Sequence, residues 1–244
     1  MNALATNDSS VAYQIALNHA TKRGIPADHV RPHTLKMYAV LDPKKNSYEF
    51  KTQQTESAIF KDTEKRLLTA DAMIAQSLGF ALHKVITVAN ASGQLSGQPG
   101  NTRTYPYPDP AVFSGGVPVG AVCTEAEALM SIFNSKLKVQ TDKEIVVEDY
   151  DMMNFLNVPQ TQKGVATDAS LPGIVTRNWG KPFKFAGDTV NSFTLLLSEA
   201  DITAIAGNIP AAGNTGDMNY LVLIIQGFII KDGSKAMRAF PLSR

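Results

Sequence analysis

At 244 residues, with 44% hydrophobic and 18% charged, the chain reads as one elaborated domain whose charge fraction lies below the roughly 25% usual for soluble domains. Lys and Arg total 23 against 22 Asp and Glu, a formal charge of +1, so no global field draws the chain to nucleic acid or an anionic membrane. The single cysteine, Cys123, excludes an intramolecular disulfide and a cysteine metal site within one chain. Residues 1–10 are polar and lack the basic start and apolar core of a secretory leader. Ser9 or Ser10 caps a first helix with the stripe Val11, Ala12, Ile15, Ala16 and His19, basic Lys22 and Arg23 in its last turn, and Gly24 as its stop. This predicts an amphipathic N-terminal arm over residues 1–32.

After Pro26 and Pro32, alternation from Leu35 to Leu41, a turn at Asp42–Asn46 and a second extended piece from Ser47 to Gln53 predict a β-hairpin. Lys61–Leu68 reads as a charged helix. Ala70–Leu78 fits helix or strand equally, and Gly79 sets it apart from the alternating strand Phe80–Val88. Residues 89–120 are rich in Gly, Pro, Ser, Gln and Asn and carry Tyr105-Pro106-Tyr107-Pro108-Asp109-Pro110, which predicts a long loop insertion of the kind that serves contact. Thr124 and Glu127 form a capping box and open a helix through Leu129, Ile132 and Phe133.

Strands dominate from Leu137 onward: Leu137–Gln140, a turn at 141–144, Ile145–Glu148, and Asn154–Val158 ending at Pro159. A second loop insertion spans 160–172. Strands resume at Gly173–Thr176, Pro182–Phe185 and Val190–Leu197, separated by Asn178-Trp179-Gly180 and Gly187-Asp188. Ser198 and Asp201 cap a short turn holding Ile202 and Ile205, closed by Gly207. Finally Tyr220–Ile230 is a β-branched apolar run too short to cross a bilayer, which takes roughly 20 residues, and is read as a strand buried on both faces. Gly227 within it marks a bulge or a close backbone approach, so Gly227→Val is expected to cost about 1 kcal/mol or more. These elements make a mainly β chain with an N-terminal helix and one or two short inserted helices, residues 33–244 forming a single β domain.

The chemistry-bearing motifs of nucleotide binding, zinc proteolysis and the serine nucleophile elbow do not occur. No catalytic, cofactor or metal residue is assigned. Of the histidines, His29 and His33 flank Pro32 in a loop, and His83 is expected on the surface, opposite the face of Phe80, Leu82 and Ile86. Glu148, Asp149 and Asp151 cluster around Tyr150, which reads as a solvated acidic turn, with ion binding as the alternative. Tyr105, Tyr107 and Trp179 sit in Pro- or Gly-rich segments where an exposed ring is costly and interfaces are rich in such rings, so partner contact and self-packing both stand.

The segments Leu67-Leu68-Thr69-Ala70-Asp71 with Gly79-Phe80-Ala81-Leu82, Phe133–Val139, Phe155–Pro159 and Tyr220–Ile230 follow one another in an order that resembles the jelly-roll major capsid proteins of tailless icosahedral bacteriophages. The resemblance covers roughly residues 60–231 and lies in segment order. It implies an antiparallel β-sandwich of the jelly-roll kind, a structural virion protein assembling with copies of itself, as trimers or higher, and with other virion proteins. It implies a place in the capsid after synthesis in the host cytoplasm, and no catalysis. Two points depart from it: ten or eleven strands fit one barrel rather than two, and residues 1–21 contain no Lys or Arg to engage nucleic acid. Subunit-interface candidates are Tyr105, Tyr107, Trp179, Val11 and Ile15. Two other classes stay open: a monomeric β-sandwich module binding carbohydrate or protein through the loop aromatics, and a lyase or hydrolase using Glu148, Asp149 and Asp151.

Overall fold

The computed structural model describes residues 3–42, 44–52, 66–105, 113, 124–142, 144–156, 176–197, 202–208 and 211–234. Helix α1 (Ala3–Thr21) leads through a 3₁₀ turn (Ala27–His29) to β1 (Val30–Val40), β2 (Ser47–Lys51), β3 (Ala72–Ala89) and β4 (Leu95–Tyr105). Helix α2 (Glu125–Phe133), β5 (Lys136–Thr141), β6 (Glu144–Asp151) and a 3₁₀ turn (Met152–Phe155) follow. The chain continues through β7 (Thr176–Ala186), β8 (Asn191–Leu196), a 3₁₀ turn (Thr203–Ile205), β9 (Gly207–Asn208) and β10 (Thr215–Ile230).

The strands form two antiparallel sheets. One runs β1-β10-β3-β4, with β7 also on β3 and β9 on β10; the other runs β2-β8-β5-β6. Long β3 changes neighbour along its length: Ala72–Gly79 pair with β7, and Leu82–Ala89 with β4. Between the sheets lies one core, in which Leu35, Phe80, Leu82, Leu223 and Ile225 of the first sheet meet Phe50, Leu137, Val139, Phe193 and Leu195 of the second. Antiparallel sheets stacked this way make a β-sandwich. Helix α2 closes the core through Leu129, Ile132 and Phe133, its N-terminus held by the capping box of Thr124 and Glu127.

Strand β10 explains the long apolar run. It is an interior strand, flanked by β1 and β3. Leu221, Leu223, Ile225 and Ile229 join the intersheet core, Val222 and Ile224 cluster with Ala81 on the opposite face, and Ile230 packs with the buried alanines of α1. From Met218 to Ile225 the strand is covered on both faces and leaves no solvent-facing positions to alternate with, while Gln226 is exposed where the bulge begins.

A bulge interrupts the register at Gly227. Gln226 faces Ser77 and Gly227 faces Ala75, so Gln76 is one residue too many on β3. Because side chains alternate along a strand, the extra residue inverts the facing. Met73 and Ala75 before the bulge and Leu78, Phe80 and Leu82 after it consequently all reach the same core. The register of β7, one continuous strand, shifts at the same place: Ala75 faces Phe183 but Ser77 faces Asn178, so Trp179–Pro182 form a bulged excursion of that strand opposite Gln76.

Several expectations change. The two strands expected as a hairpin enter different sheets, β1 pairing with β10 and β2 with β8. Their connection is a corner, tied where the Tyr48 hydroxyl donates to the Asp42 carbonyl at 3.0 Å. Gly79 does not divide the chain; it lies within continuous β3, which settles Ala70–Leu78 as strand rather than helix from Ala72. Residues 95–105 of the expected loop form β4, satisfying their backbone on the free edge of β3. Asn154–Val158 is not a strand over its described part, because the Asp151 carboxylate accepts the Met153 N–H at 2.9 Å and turns Met152–Phe155 into a 3₁₀ helix. Asn178-Trp179-Gly180 does not separate two strands; β7 runs through it. Most of Lys61–Leu68, the second insertion at 160–172 and the caps Ser198 and Asp201 lie outside the described residues.

Candidate functional site

Helix α1 lies on the outer face of the larger sheet. Ala12, Ala16 and Ala20, spaced four apart, are fully buried against Val30, Ile74 and Ile230. This spacing puts them on one side of a helix. Their small side chains let the backbone approach the sheet, and each buried methyl contributes only about 0.8 kcal/mol, so the docking is shallow. Tyr13 adds a ring contact to Phe228, centroids 5.2 Å apart.

The helix ends in a Schellman turn: Gly24 has φ +68°, its N–H donates to Thr21 O at 3.0 Å, and the Ile25 N–H donates to Ala20 O at 2.9 Å. The sequence signal at Gly24 is thus a real stop. Gly24→Ala is expected to cost about 1 kcal/mol, since a left-handed φ penalises any Cβ even with open space around it. A small drop in urea midpoint checks this.

With alanines underneath, Leu17 packs partly buried beside them, while Val11 and Ile15 face outward. Val11 is 51% exposed and Ile15 39%, while Tyr13 is partly exposed as well. The expected stripe therefore splits: Ala12 and Ala16 dock the helix, and Val11 and Ile15 remain on the surface. A patch of this kind at helical spacing is open to a partner.

Beside α1 an open groove of about 380 Å³ runs over the bulge, lined by Pro32, His33, Thr34, Gln76, Gln226, Gly227 and Phe228. The Ser77 hydroxyl donates to Gln226 Oε1 at 3.3 Å within it. No sequence signal other than Gly227 pointed here, because the groove exists only where a bulge splays three strands.

The remaining sequence candidates disperse. The backbone of Tyr105 ends β4 opposite Leu82, and that of Trp179 sits in the β7 excursion; Tyr107 lies outside the described residues. The acidic residues of β6 have separate structural tasks: Asp149 pairs with Lys136 at 3.7 Å, and Asp151 caps the following turn. Among the described residues no group of three or more His, Cys, Asp or Glu is placed to hold a metal ion. Two register breaks and exposed Glu144, Glu148 and Asp149 mark β6 as an edge strand guarded against pairing with a second edge.

His83 is not a surface residue but 5% exposed. It does lie opposite Phe80 and Leu82, yet that outer face is also covered. Its Nδ1 sits 2.7 Å from Thr104 Oγ1, and its ring meets Tyr38 and Tyr220 edge-on. Burial pushes the Tyr220 hydroxyl up to about 12, so it stays protonated at physiological pH.

The basic end of α1 gathers more charge than its sequence suggests. Arg23 Nη1 donates to the Gly233 carbonyl in the turn after β10, and the His19 imidazole meets the same carbonyl. Lys184 of β7 stands close enough to repel both. Burial first, then the Lys184 and Arg23 charges, push the His19 pKa down to about 4. Desolvation and the Arg23 charge lower that of the Lys184 ammonium, with Asp188 opposing.

The fold and these features together define a two-sheet antiparallel β-sandwich carrying a docked helical arm. No protein-family model, curated protein or solved structure matches the chain. Among the described residues no helix is long and apolar enough to cross a membrane.

Proposed function

We propose that the chain is a structural virion protein, the major capsid subunit of a tailless icosahedral bacteriophage, that self-assembles into a shell and has no catalytic role. The observation carrying this reading is the strand order. A jelly roll is a long hairpin wrapped into two sheets as two Greek keys, so its first strand pairs with its last, its second with the next to last, and so on inward. With β4 and β9 set aside as additions, β1 pairs with β10, β2 with β8, β3 with β7 and β5 with β6. The wrapped hairpin is then joined across by β10 on β3 and β8 on β5. This supports a single jelly roll, a scaffold that viral capsids and lectins both use. The exposed Val11 and Ile15 tilt the choice toward assembly, through contacts with further copies or with other virion proteins in the capsid.

Negative-stain microscopy and light scattering of purified protein test the proposal. Closed particles or symmetric oligomers are expected, and the double variant Val11→Ser, Ile15→Ser should assemble at least about tenfold less readily while melting like the parent, since loss of two exposed apolar contacts costs an interface about 1.4 kcal/mol or more. A parent that stays monomeric at high concentration would overturn it.

The bulge groove favours a second reading, a monomeric sandwich module binding carbohydrate or protein. Amides of Gln76 and Gln226 beside the Phe228 ring offer hydrogen bonds and a stacking surface in one open site. Glycan binding by a monomer, lost in Gln226→Ala, would favour that reading over assembly.

A further inference from the structure

Strand pairing lays the bulge groove out as two rows across the larger sheet. Thr34 faces Gln226 and Gln226 faces Ser77, a polar row across β1, β10 and β3. Pro32 faces Phe228 and Phe228 faces Ile74, an apolar row beside it. Positions two residues apart on a strand share a face and lie about 7 Å apart. Gly227 between the rows brings no side chain, and the bulged Gln76 adds a second amide to the lining.

Gln226 is the one polar side chain from Leu221 to Ile230, and it is exposed on a strand otherwise given to burial. The Ser77 hydroxyl, itself buried, donates to Gln226 Oε1 at 3.3 Å. With Oε1 held there, the Nε2 end, carrying two N–H donors, is the end left to the groove. On the apolar side the Tyr13 ring braces Phe228 at 5.2 Å, while Phe228 still lines the groove. Among the described lining residues there is no carboxylate, ammonium or guanidinium.

We propose that the groove is a binding site for a neutral sugar, one pyranose ring stacking its C–H face on Phe228 and Pro32 while its hydroxyls bond the amides of Gln226 and Gln76 and the Thr34 hydroxyl. This rests on the reading of the groove as a binding site, whether or not the chain assembles, and narrows carbohydrate or protein to one class. A sugar ring combines an apolar face with a rim of hydroxyls, which matches one apolar row beside one polar row. Amides suit hydroxyls because they both donate and accept. An anionic sugar would meet no cation, and desolvating its charge unpaired is costly. A peptide added as a strand needs a free edge, and β10 and β3 are both paired on each side here. The volume of about 380 Å³ lies at the small end of ligand clefts, which run from roughly 300 to 1,000 Å³. Ser77 is a positioning residue, acting through Gln226 and not on the sugar.

NMR titration of the full chain with maltotriose, cellotriose and lactose, read at the side-chain amide signals of Gln76 and Gln226, tests the site. At least one of the three is expected to shift both. No shift up to about 10 mM, enough to nearly saturate a site with a Kd of about 1 mM, overturns the proposal. Against the sugar that binds, Gln226→Ala should weaken affinity at least about tenfold, and Phe228→Leu, which keeps apolar volume but removes the ring, about as much. Unchanged affinity in either variant overturns the proposal as well. Ser77→Ala should weaken binding about threefold and move the Gln226 amide signals in the sugar-free protein; unmoved signals overturn the positioning role. Sialyllactose binding more tightly than lactose overturns the assignment to a neutral ligand. A synthetic peptide of residues 104–111 separates this inference from the reading beneath it. If the peptide shifts the same amides and no sugar does, the groove stays a binding site and the sugar is overturned; silence from both overturns the two together.

Discussion

Gly227→Val should lower the melting temperature by about 6 to 12 °C, the shift that a loss of about 3 kcal/mol produces in a domain of this size. Sequence alone set a floor of about 1 kcal/mol. The geometry raises it, because a Cβ on Gly227 would lie 2.0 Å from the Ile74 carbonyl oxygen and 3.0 Å from Ala75 Cα. Both obstacles are backbone atoms of a paired central strand, so neither can rotate away. Relief would require β10 to move off β3 at the bulge, and that bulge sets which side of β3 faces the core. Even Gly227→Ala should carry most of the cost, since the first carbon makes the clash. Thermal and urea unfolding of both variants decide the matter; either one melting like the parent would show that the close approach relaxes freely.

A loss of about 3 to 5 kcal/mol is expected for Phe80→Ala, the range for emptying a buried aromatic site. Phe80 is 1% exposed at the centre of the intersheet core. Its ring meets Phe133 of α2 at 5.6 Å and near-perpendicular, and Phe155 of the 3₁₀ turn after β6 at 6.5 Å. One side chain thus joins the larger sheet, the helix and the end of the smaller sheet. Set against a total of roughly 5 to 15 kcal/mol for a domain, the cost is severe. Phe80→Leu, which keeps most of the volume, should recover more than half of it in urea unfolding. Equal losses for Leu and Ala would mean that ring geometry, not volume, governs the site.

These two residues differ in how they could be read. Phe80 alternates with Leu82 in a run of plain strand character, so its inward direction follows from period alone. Gly227 is legible as an irregularity, since glycine inside a β-branched run is rarely there for propensity. Its meaning required β3, 149 positions away for the Ser77–Gln226 bond, which no local pattern encodes. The same limit separates the local successes from the misses. Thr124 with Glu127 and Gly24 are cap signals whose bonds reach three to five residues, and both form. The hairpin expected from Leu35 to Gln53 does not, because alternation and a turn fit a corner between sheets as well as a hairpin.

His83 and α1 show a second limit. Period placed His83 opposite Phe80 and Leu82, but exposure depends on what covers that face, and Tyr38 and Tyr220 come from strands distant in sequence. In α1 the helical spacing puts Val11, Ala12, Ile15, Ala16 and His19 on one stripe. The sheet instead takes the alanines, since a helix laid flat on a filled sheet face needs small side chains at the contact. Val11 and Ile15 gain their outward place from that choice.

By itself the sequence determined what short-range physics controls: mainly β character, the N-terminal helix and its stop, the capped α2, the interior nature of β10 and the absence of familiar catalytic motifs. Only the tertiary structure decided strand partners, the facing of β3 on either side of its bulge, the outer side of α1, and the meeting of His19 and Arg23 at Gly233. The physical reason is distance along the chain. Caps and alternation are fixed by neighbours within one or two turns, whereas sheet order, burial of a face and a shared electrostatic field arise between residues that folding alone brings together.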